Sequence, residues 1–242
     1  MVSKVYEDNL RRAIDKYDPE IITFEADGKE FKIPKLLLMA QSEYFATKFN
    51  TDMKDSKENV IHVDCFASDV IEKLLAFFFV PQTSIGNSKL ALGLFKASNY
   101  YQIAHVKLAI VDYFVNNQNV LTNDILMSLF SEAELQNSKE VMKVVLEHIL
   151  SNDIDVTTLA DYDKVTHSQL TIIMKAQIIY QKTLSQQFNS ALYRMNISTQ
   201  NIQKLRWPTY GKRQAQPETC LTCPSYSNIV KPSVNLSSLF NL

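Results

Sequence analysis

Glycine is scarce in this chain: only Gly28, Gly86, Gly93 and Gly211 occur among 242 residues. A phosphate-binding loop needs several glycines close together, because its backbone amides must approach the anion. These four glycines form no such cluster. The sequence therefore argues against a nucleotide-binding enzyme, and it predicts no cofactor and no catalytic activity.

Cysteine is also rare, with only Cys65, Cys220 and Cys223 present. An odd and sparse count does not build the disulfide framework of a small secreted domain. Cys220 and Cys223 form a CxxC pair, but a structural zinc needs four ligands and a second pair is missing, so we predict no metal site. Cys65 is expected to be a small buried hydrophobic residue.

Neither charge nor long apolar runs set this chain apart. Its formal net charge is -1, and without a basic surplus we predict no nucleic-acid partner. The longest strongly apolar run, Leu74–Val80, is too short to span a bilayer. The first residues, MVSKVYEDNL, lack the apolar core of a signal peptide. We therefore expect a cytoplasmic or nuclear protein with no membrane partner.

The first quarter of the chain alternates helical and extended patterns. Lys4–Tyr17 has a helical period with one apolar face, formed by Tyr6, Leu10, Ala13, Ile14 and Tyr17. Ile21–Phe24 and Glu30–Ile33 have strand character on either side of a turn at Gly28, and they predict a β-hairpin. Val60–Val63 predicts a third strand.

The rest of the sequence is predominantly helical. Ser42 and Ser68 are predicted to cap the helices that follow them, and Pro34 is predicted to occupy the first position of a short helix. From about residue 196, proline and small polar residues predict a disordered tail. The predicted helices span 36–40, 43–49, 68–79, 88–101, 103–116, 122–133, 138–150 and 168–195.

Three segments carry a resemblance to a known family. Gly28–Leu38 (GKEFKIPKLLL) follows the pattern G-x-x-F-x-x-H-K-x-x-L, with Pro34 in place of the histidine. Ser42–Phe49 follows S-x-x-F-x-x-x-F, and Leu94–Tyr101 resembles L-x-x-A-x-x-Y. In this order and spacing the chain resembles the BTB/POZ domain proteins, and over roughly Val5–Leu150 it resembles the substrate adaptors of cullin-three ubiquitin ligases.

The resemblance implies an α+β fold class with four parts. Residues 1–18 would form a dimerisation helix, and residues 19–118 a BTB/POZ core, a short mixed sheet covered by helices. Residues 119–195 would form an all-α extension resembling a BACK region or cullin-binding helix pair, and residues 196–242 the disordered tail. The implied function is a non-catalytic homodimer that recruits an unknown protein substrate to a cullin-RING ubiquitin ligase. The alternative is a BTB oligomerisation scaffold in transcription or cytoskeletal assembly.

The resemblance also implies three groups of site residues. The apolar–any–acidic motif that contacts cullin corresponds to Met53, Lys54 and Asp55, with Phe49 and Tyr101 near the same surface. The dimer interface corresponds to Tyr6, Leu10, Ala13, Ile14 and Tyr17. The BTB pocket corresponds to Glu20 and Lys35. In the family the acidic motif residue is usually glutamate, so Asp55 implies weaker cullin binding.

The predicted long helix, 168–195, has two possible roles. Its apolar positions alternate spacings of four and three, which is a heptad pattern interrupted by Gln177 and Gln181. The helix could close over the preceding helix pair. Alternatively, it could form a second dimer contact or a docking helix for a client protein.

Overall fold

The computed structural model describes residues 12, 16, 20–51, 59–80 and 83–204, with side chains through residue 194. Its sheet contains β1 (Ile21–Ala26), β2 (Lys29–Pro34) and β3 (Val60–His62) in the order β2-β1-β3. β2 pairs antiparallel with β1 and β3 pairs parallel with it, so the predicted mixed sheet is confirmed.

The hairpin turn and the inward face of β1 follow directly from the sequence. Asp27 and Gly28 both have positive φ, 51° and 73°, which is the backbone conformation of a two-residue turn that suits twisted strands. Ile22, Phe24 and Ala26 alternate with more exposed neighbours and are buried. Pro34 closes β2 and precedes the helix that begins at Lys35, so its predicted place inside the helix is wrong.

Eight helices occur in the described part of the chain, and they cover the sheet or extend beyond it. They are α1 (Lys35–Gln41), α2 (Glu43–Asn50), α3 (Ser68–Phe79), α4 (Ser88–Tyr100), α5 (Ala104–Asn116), α6 (Leu126–Leu135), α7 (Lys139–Ser151) and α8 (His167–Lys204). Across the described residues, no helix combines the length and the apolar character that crossing a bilayer demands.

α3 forms the centre of the core. Ile71, Leu74 and Phe77 are almost fully buried. The predicted cap by Ser68 is wrong: Ser68 is the first residue of the helix, and its backbone N–H donates to the Asp27 carboxylate at 2.6 Å. The hairpin turn therefore provides the cap from a distant part of the chain.

α6 and α7 form the predicted antiparallel pair after the sheet-containing part. α6 begins at Leu126, four residues later than predicted, because a turn and a short 3-10 segment at Gln118–Val120 precede it. Ile125, Leu129 and Phe130 are buried. The pair is therefore part of a packed core.

The described residues divide into two compact units, one within residues 1–166 and the other within residues 167–242. In the second unit, α8 runs through Lys204. The helix therefore continues nine residues past its predicted end at residue 195, and the disordered tail stays a prediction. The remaining tail, including Cys220 and Cys223, lies outside the described residues.

Candidate functional site

Seven aromatic rings meet where α2 approaches the end of α4. The Phe45 ring stacks on Tyr101 with a centroid distance of 5.1 Å, and it meets Phe24 edge-on at 5.6 Å. Such pairs add about 0.5–1.5 kcal/mol beyond their buried area. This aromatic cluster consists of Phe24, Tyr44, Phe45, Phe49, Phe66, Tyr100 and Tyr101.

Ser42 fixes the two helix ends that carry these rings. Its hydroxyl accepts from the Phe45 backbone N–H at 3.2 Å, and thereby caps α2 as predicted. The same hydroxyl donates to the Tyr101 carbonyl at 2.6 Å. Gln102 then adopts a left-handed backbone with φ 51°, which turns the chain into α5.

The aromatic cluster has an inner and an outer layer. Phe24, Phe45 and Tyr101 are at most 3% exposed. Tyr44, Phe49 and Phe66 are half-buried, and Tyr100 is 53% exposed. The outer layer provides an apolar and hydroxyl-bearing surface that a protein partner could contact, as interface anchors commonly do.

The hydroxyls of Tyr44 and Tyr101 stay protonated. Burial, together with the nearby Cys65 and Tyr100, raises the pKa of Tyr101. Burial also raises the pKa of Tyr44, with smaller contributions from the same two neighbours. Both residues therefore remain neutral across the physiological range. Cys65 itself is exposed, so the predicted buried position of this cysteine is wrong.

The register of β1 and β2 brings together the two predicted pocket residues, Glu20 and Lys35. Lys35 Nζ lies 3.0 Å from the Glu20 carboxylate, and the Lys35 backbone N–H donates to the Glu20 carbonyl at 2.8 Å. Lys35 Nζ also lies 5.0 Å from the Phe49 ring centroid, within range of a cation–π contact. One side of the outer layer therefore carries a partly shielded cation.

The predicted cullin-contact residues have different positions in the structure. Phe49 is in the outer layer, at the end of α2. Tyr101 is 3% exposed, so a direct partner contact by Tyr101 stays a prediction that its burial does not favour. Its neighbour Tyr100, which the family resemblance did not indicate, is the exposed tyrosine of the aromatic cluster.

Several predicted site residues lie outside the described part of the chain. Met53, Lys54 and Asp55 belong to residues 52–58, between the end of α2 and Asn59. The five predicted dimer residues, Tyr6, Leu10, Ala13, Ile14 and Tyr17, also lie outside it. Both groups stay predictions. Among the described residues, no group of three His, Cys, Asp or Glu side chains is placed to hold a metal ion.

The part of the chain that contains the sheet and its covering helices belongs to a known class of domain. Residues 21–118 match the family model of the BTB/POZ domain, and this part of the chain is a BTB/POZ domain. The match contains all three strands and α1 to α5, including every ring of the aromatic cluster.

Known proteins similar to this chain extend the comparison beyond the domain. Kelch-like protein 7 of Rattus norvegicus is 30% identical over 157 residues, covering 62% of this chain and 26% of that protein. Kelch-like ECH-associated protein 1A of Danio rerio is 24% identical over 193 residues, covering 80% of this chain and 30% of that protein. The chain thus spans about a quarter to a third of the length of these two relatives.

A solved structure of a BTB domain is similar to part of this chain. The BTB (Tramtrack and Bric a brac) domain of human Gigaxonin matches 47% of this chain and 94% of its own, with 19% identity and a TM-score of 0.37.

Proposed function

We propose that this protein is a homodimeric BTB adaptor that brings a protein substrate to a cullin-RING ubiquitin ligase and carries out no catalysis itself. The observation that supports this most is the extent of similarity to Kelch-like proteins. The match of 157 residues is longer than the BTB/POZ domain at residues 21–118, so it includes sequence outside that domain. The chain therefore resembles these proteins in more than the common domain.

The aromatic cluster supplies a suitable place for a cullin contact. Phe49 and Tyr100 lie in its outer layer, and the sequence places Met53 three residues after the end of α2. In the proposed contact, Met53 enters an apolar cleft of cullin while Asp55 accepts hydrogen bonds beside it. Buried apolar anchors of this kind provide much of the energy of protein interfaces.

Cullin binding can be tested with purified cullin-three and the full chain by isothermal titration calorimetry. We expect Met53→Ala combined with Asp55→Ala to weaken binding at least tenfold. Asp55→Glu should strengthen it severalfold, because the longer side chain restores the usual family residue. Thr47→Ala, an exposed change on α2, is the matched control and should leave affinity unchanged.

The result also separates the two candidate functions. If the unaltered dimer does not bind cullin, the adaptor function is wrong and the oligomerisation scaffold stands in its place. If cullin binds but the double alanine variant binds equally well, Met53 and Asp55 are not the contact. The adaptor function would place the protein in the cytoplasm or nucleus.

A further inference from the structure

α8 carries an apolar stripe that is open to solvent. Met174 and Phe188 are 61% and 64% exposed, which is unusual for such large apolar side chains. At 100° per residue, the members of the stripe occupy roughly a third of the helix circumference. The α8 stripe consists of Met174, Ile178, Leu184, Phe188 and Leu192.

The charge of α8 has a single sign. Residues 167–204 contain Lys175, Lys182, Arg194 and Lys204 but no aspartate or glutamate. Glu218 is the only acidic residue between 167 and 242, although the net charge of the whole chain is -1. The first unit therefore carries a net negative charge and the second unit a net positive charge.

The cations of α8 are available to a partner. Lys175 and Lys182 are seven residues apart, so they lie on one edge of the α8 stripe, beside Ile178. Within the described residues, Lys175, Lys182 and Arg194 form no ion pair. A carboxylate brought to this edge by another molecule would meet uncompensated positive charge.

These observations favour a protein partner over a lipid surface. Gln177 and Gln181 lie within the arc of the α8 stripe. A side-chain amide pressed into hydrocarbon loses its hydrogen bonds at a cost of several kcal/mol, roughly 4–8 for full transfer to an alkane. Protein groups can satisfy the same amides. A membrane-bound helix also has a strongly charged polar face, whereas that of α8 is mostly Gln, Asn, Ser and Thr.

The same observations disfavour a second copy of α8. Paired helices gain specificity from opposite charges beside the apolar seam. Two copies of α8 bring only like charges, so they cannot form an ion pair with each other. A carboxylate-bearing surface complements both features of the helix, its apolar side chains and its cationic edge.

We propose that α8 is a docking helix for an acidic protein whose apolar groove accepts the α8 stripe and whose rim carboxylates meet Lys175 and Lys182. The chemistry required is that of the methionine-rich, acidic grooves opened by Ca²⁺-loaded EF-hand sensors, which bind amphipathic basic helices. This inference does not depend on cullin binding and goes beyond the adaptor function.

Ca²⁺-loaded calmodulin is the probe for this groove chemistry. The full chain is titrated into fluorescently labelled calmodulin, with Ca²⁺ or with a chelator, and the anisotropy is measured. We expect saturable binding with Ca²⁺ and its loss with the chelator. Lys175→Glu combined with Lys182→Glu should weaken binding more than tenfold at low salt.

A pair of matched variants locates the contact. Phe188→Glu places a carboxylate in the α8 stripe and should weaken binding at least tenfold. Gln187→Glu adds the same charge at the adjacent exposed position outside the stripe and should change affinity less than threefold. Circular dichroism should show equal helix content in both variants.

Four results would overturn the proposal. The first is that calmodulin does not bind, and the second is that Phe188→Glu and Gln187→Glu weaken binding equally. The third is that the chain binds phosphatidylserine vesicles and Phe188→Glu abolishes this binding. The fourth is that the chain self-associates and sedimentation shows that Phe188→Glu removes the self-association. The third result would assign α8 to a membrane surface, and the fourth would assign it to a second copy of the chain.

Discussion

Ser42 joins two parts of the BTB/POZ domain through one hydroxyl group. It is 3% exposed, and it bonds both the Phe45 N–H and the Tyr101 carbonyl. The sequence predicted the first of these bonds, because a serine before a helix is a common cap. It did not predict the second, because Tyr101 is 59 residues away and no local pattern connects the two.

Replacing Ser42 tests the importance of both bonds. Ser42→Ala leaves the Phe45 N–H and the Tyr101 carbonyl without this partner in a buried place. We expect a loss of about 1–3 kcal/mol in the free energy of unfolding, measured by urea denaturation. Ser84→Ala, an exposed loop change, should alter it by less than about 0.5 kcal/mol. Equal stability of the two variants would contradict this role.

His105 makes stability depend on pH. It is half-buried against Phe78, and its Nε2 is buried with no hydrogen-bond partner in the described structure. Burial lowers its pKa, and a hydrogen bond to the Phe77 backbone offsets only part of this effect. The folded protein therefore resists protonation of His105 more than the unfolded chain does.

The direction of the pH effect follows from this difference. Well above pH 6.5, His105 is neutral in both states and contributes no pH dependence. As the pH falls below that value, the unfolded chain binds the proton first and the free energy of unfolding decreases. His148, whose pKa is also lowered by burial, acts in the same direction.

Urea denaturation at pH 7.5 and at pH 5.0 tests the role of His105. The difference between the two urea midpoints should be smaller in His105→Phe than in the unaltered protein. An unchanged difference would show that His105 is not responsible.

At the scale of elements, Gly93 allows α3 and α4 to pack closely. A Cβ added at Gly93 would lie 2.6 Å from Cγ2 of Val70. Alanine favours a helix over glycine by about 1 kcal/mol, so this position would gain from alanine if space allowed. The close contact between the added Cβ and Val70 on α3 outweighs this gain in helix propensity.

A double-mutant cycle measures this contact. We expect Gly93→Ala to destabilise the protein by about 1–3 kcal/mol in spite of its better helix propensity, because overpacking forces the two helices apart. In a Val70→Ala background, the same change should cost little or should stabilise. Additive effects of the two changes in urea denaturation would rule out the steric coupling.

Local patterns predicted which elements form, but contacts between elements set many of their ends. The hairpin and the long helix were predicted because strand alternation and helical periodicity are properties of neighbouring residues. The Asp27 cap of α3 and the late start of α6 could not be predicted, since both depend on how separate segments meet. The resemblance assigned Glu20 and Lys35 to one pocket but did not predict their ion pair, which the register of β1 and β2 explains.

At the scale of the whole molecule, the predicted dimer rests on the apolar face of residues 4–17. A carboxylate in the centre of that face would be buried without a partner in the interface, so we expect Leu10→Glu to dissociate the dimer. Sedimentation should show a fall from the dimer mass to the monomer mass. Arg12→Glu, at an exposed position on the opposite face, should leave the mass unchanged. A dimer that persists in Leu10→Glu would exclude this interface.

The strand order has a consequence for the time course of folding. Thr23 pairs with Val60, so the third strand joins the first only after the intervening chain, with α1 and α2, has been made. Closing so long a loop is slower than forming a hairpin, because contacts distant in sequence cost more entropy to bring together. During synthesis, the nascent chain can form its two-stranded ribbon early, but the sheet stays incomplete until His62 has left the ribosome.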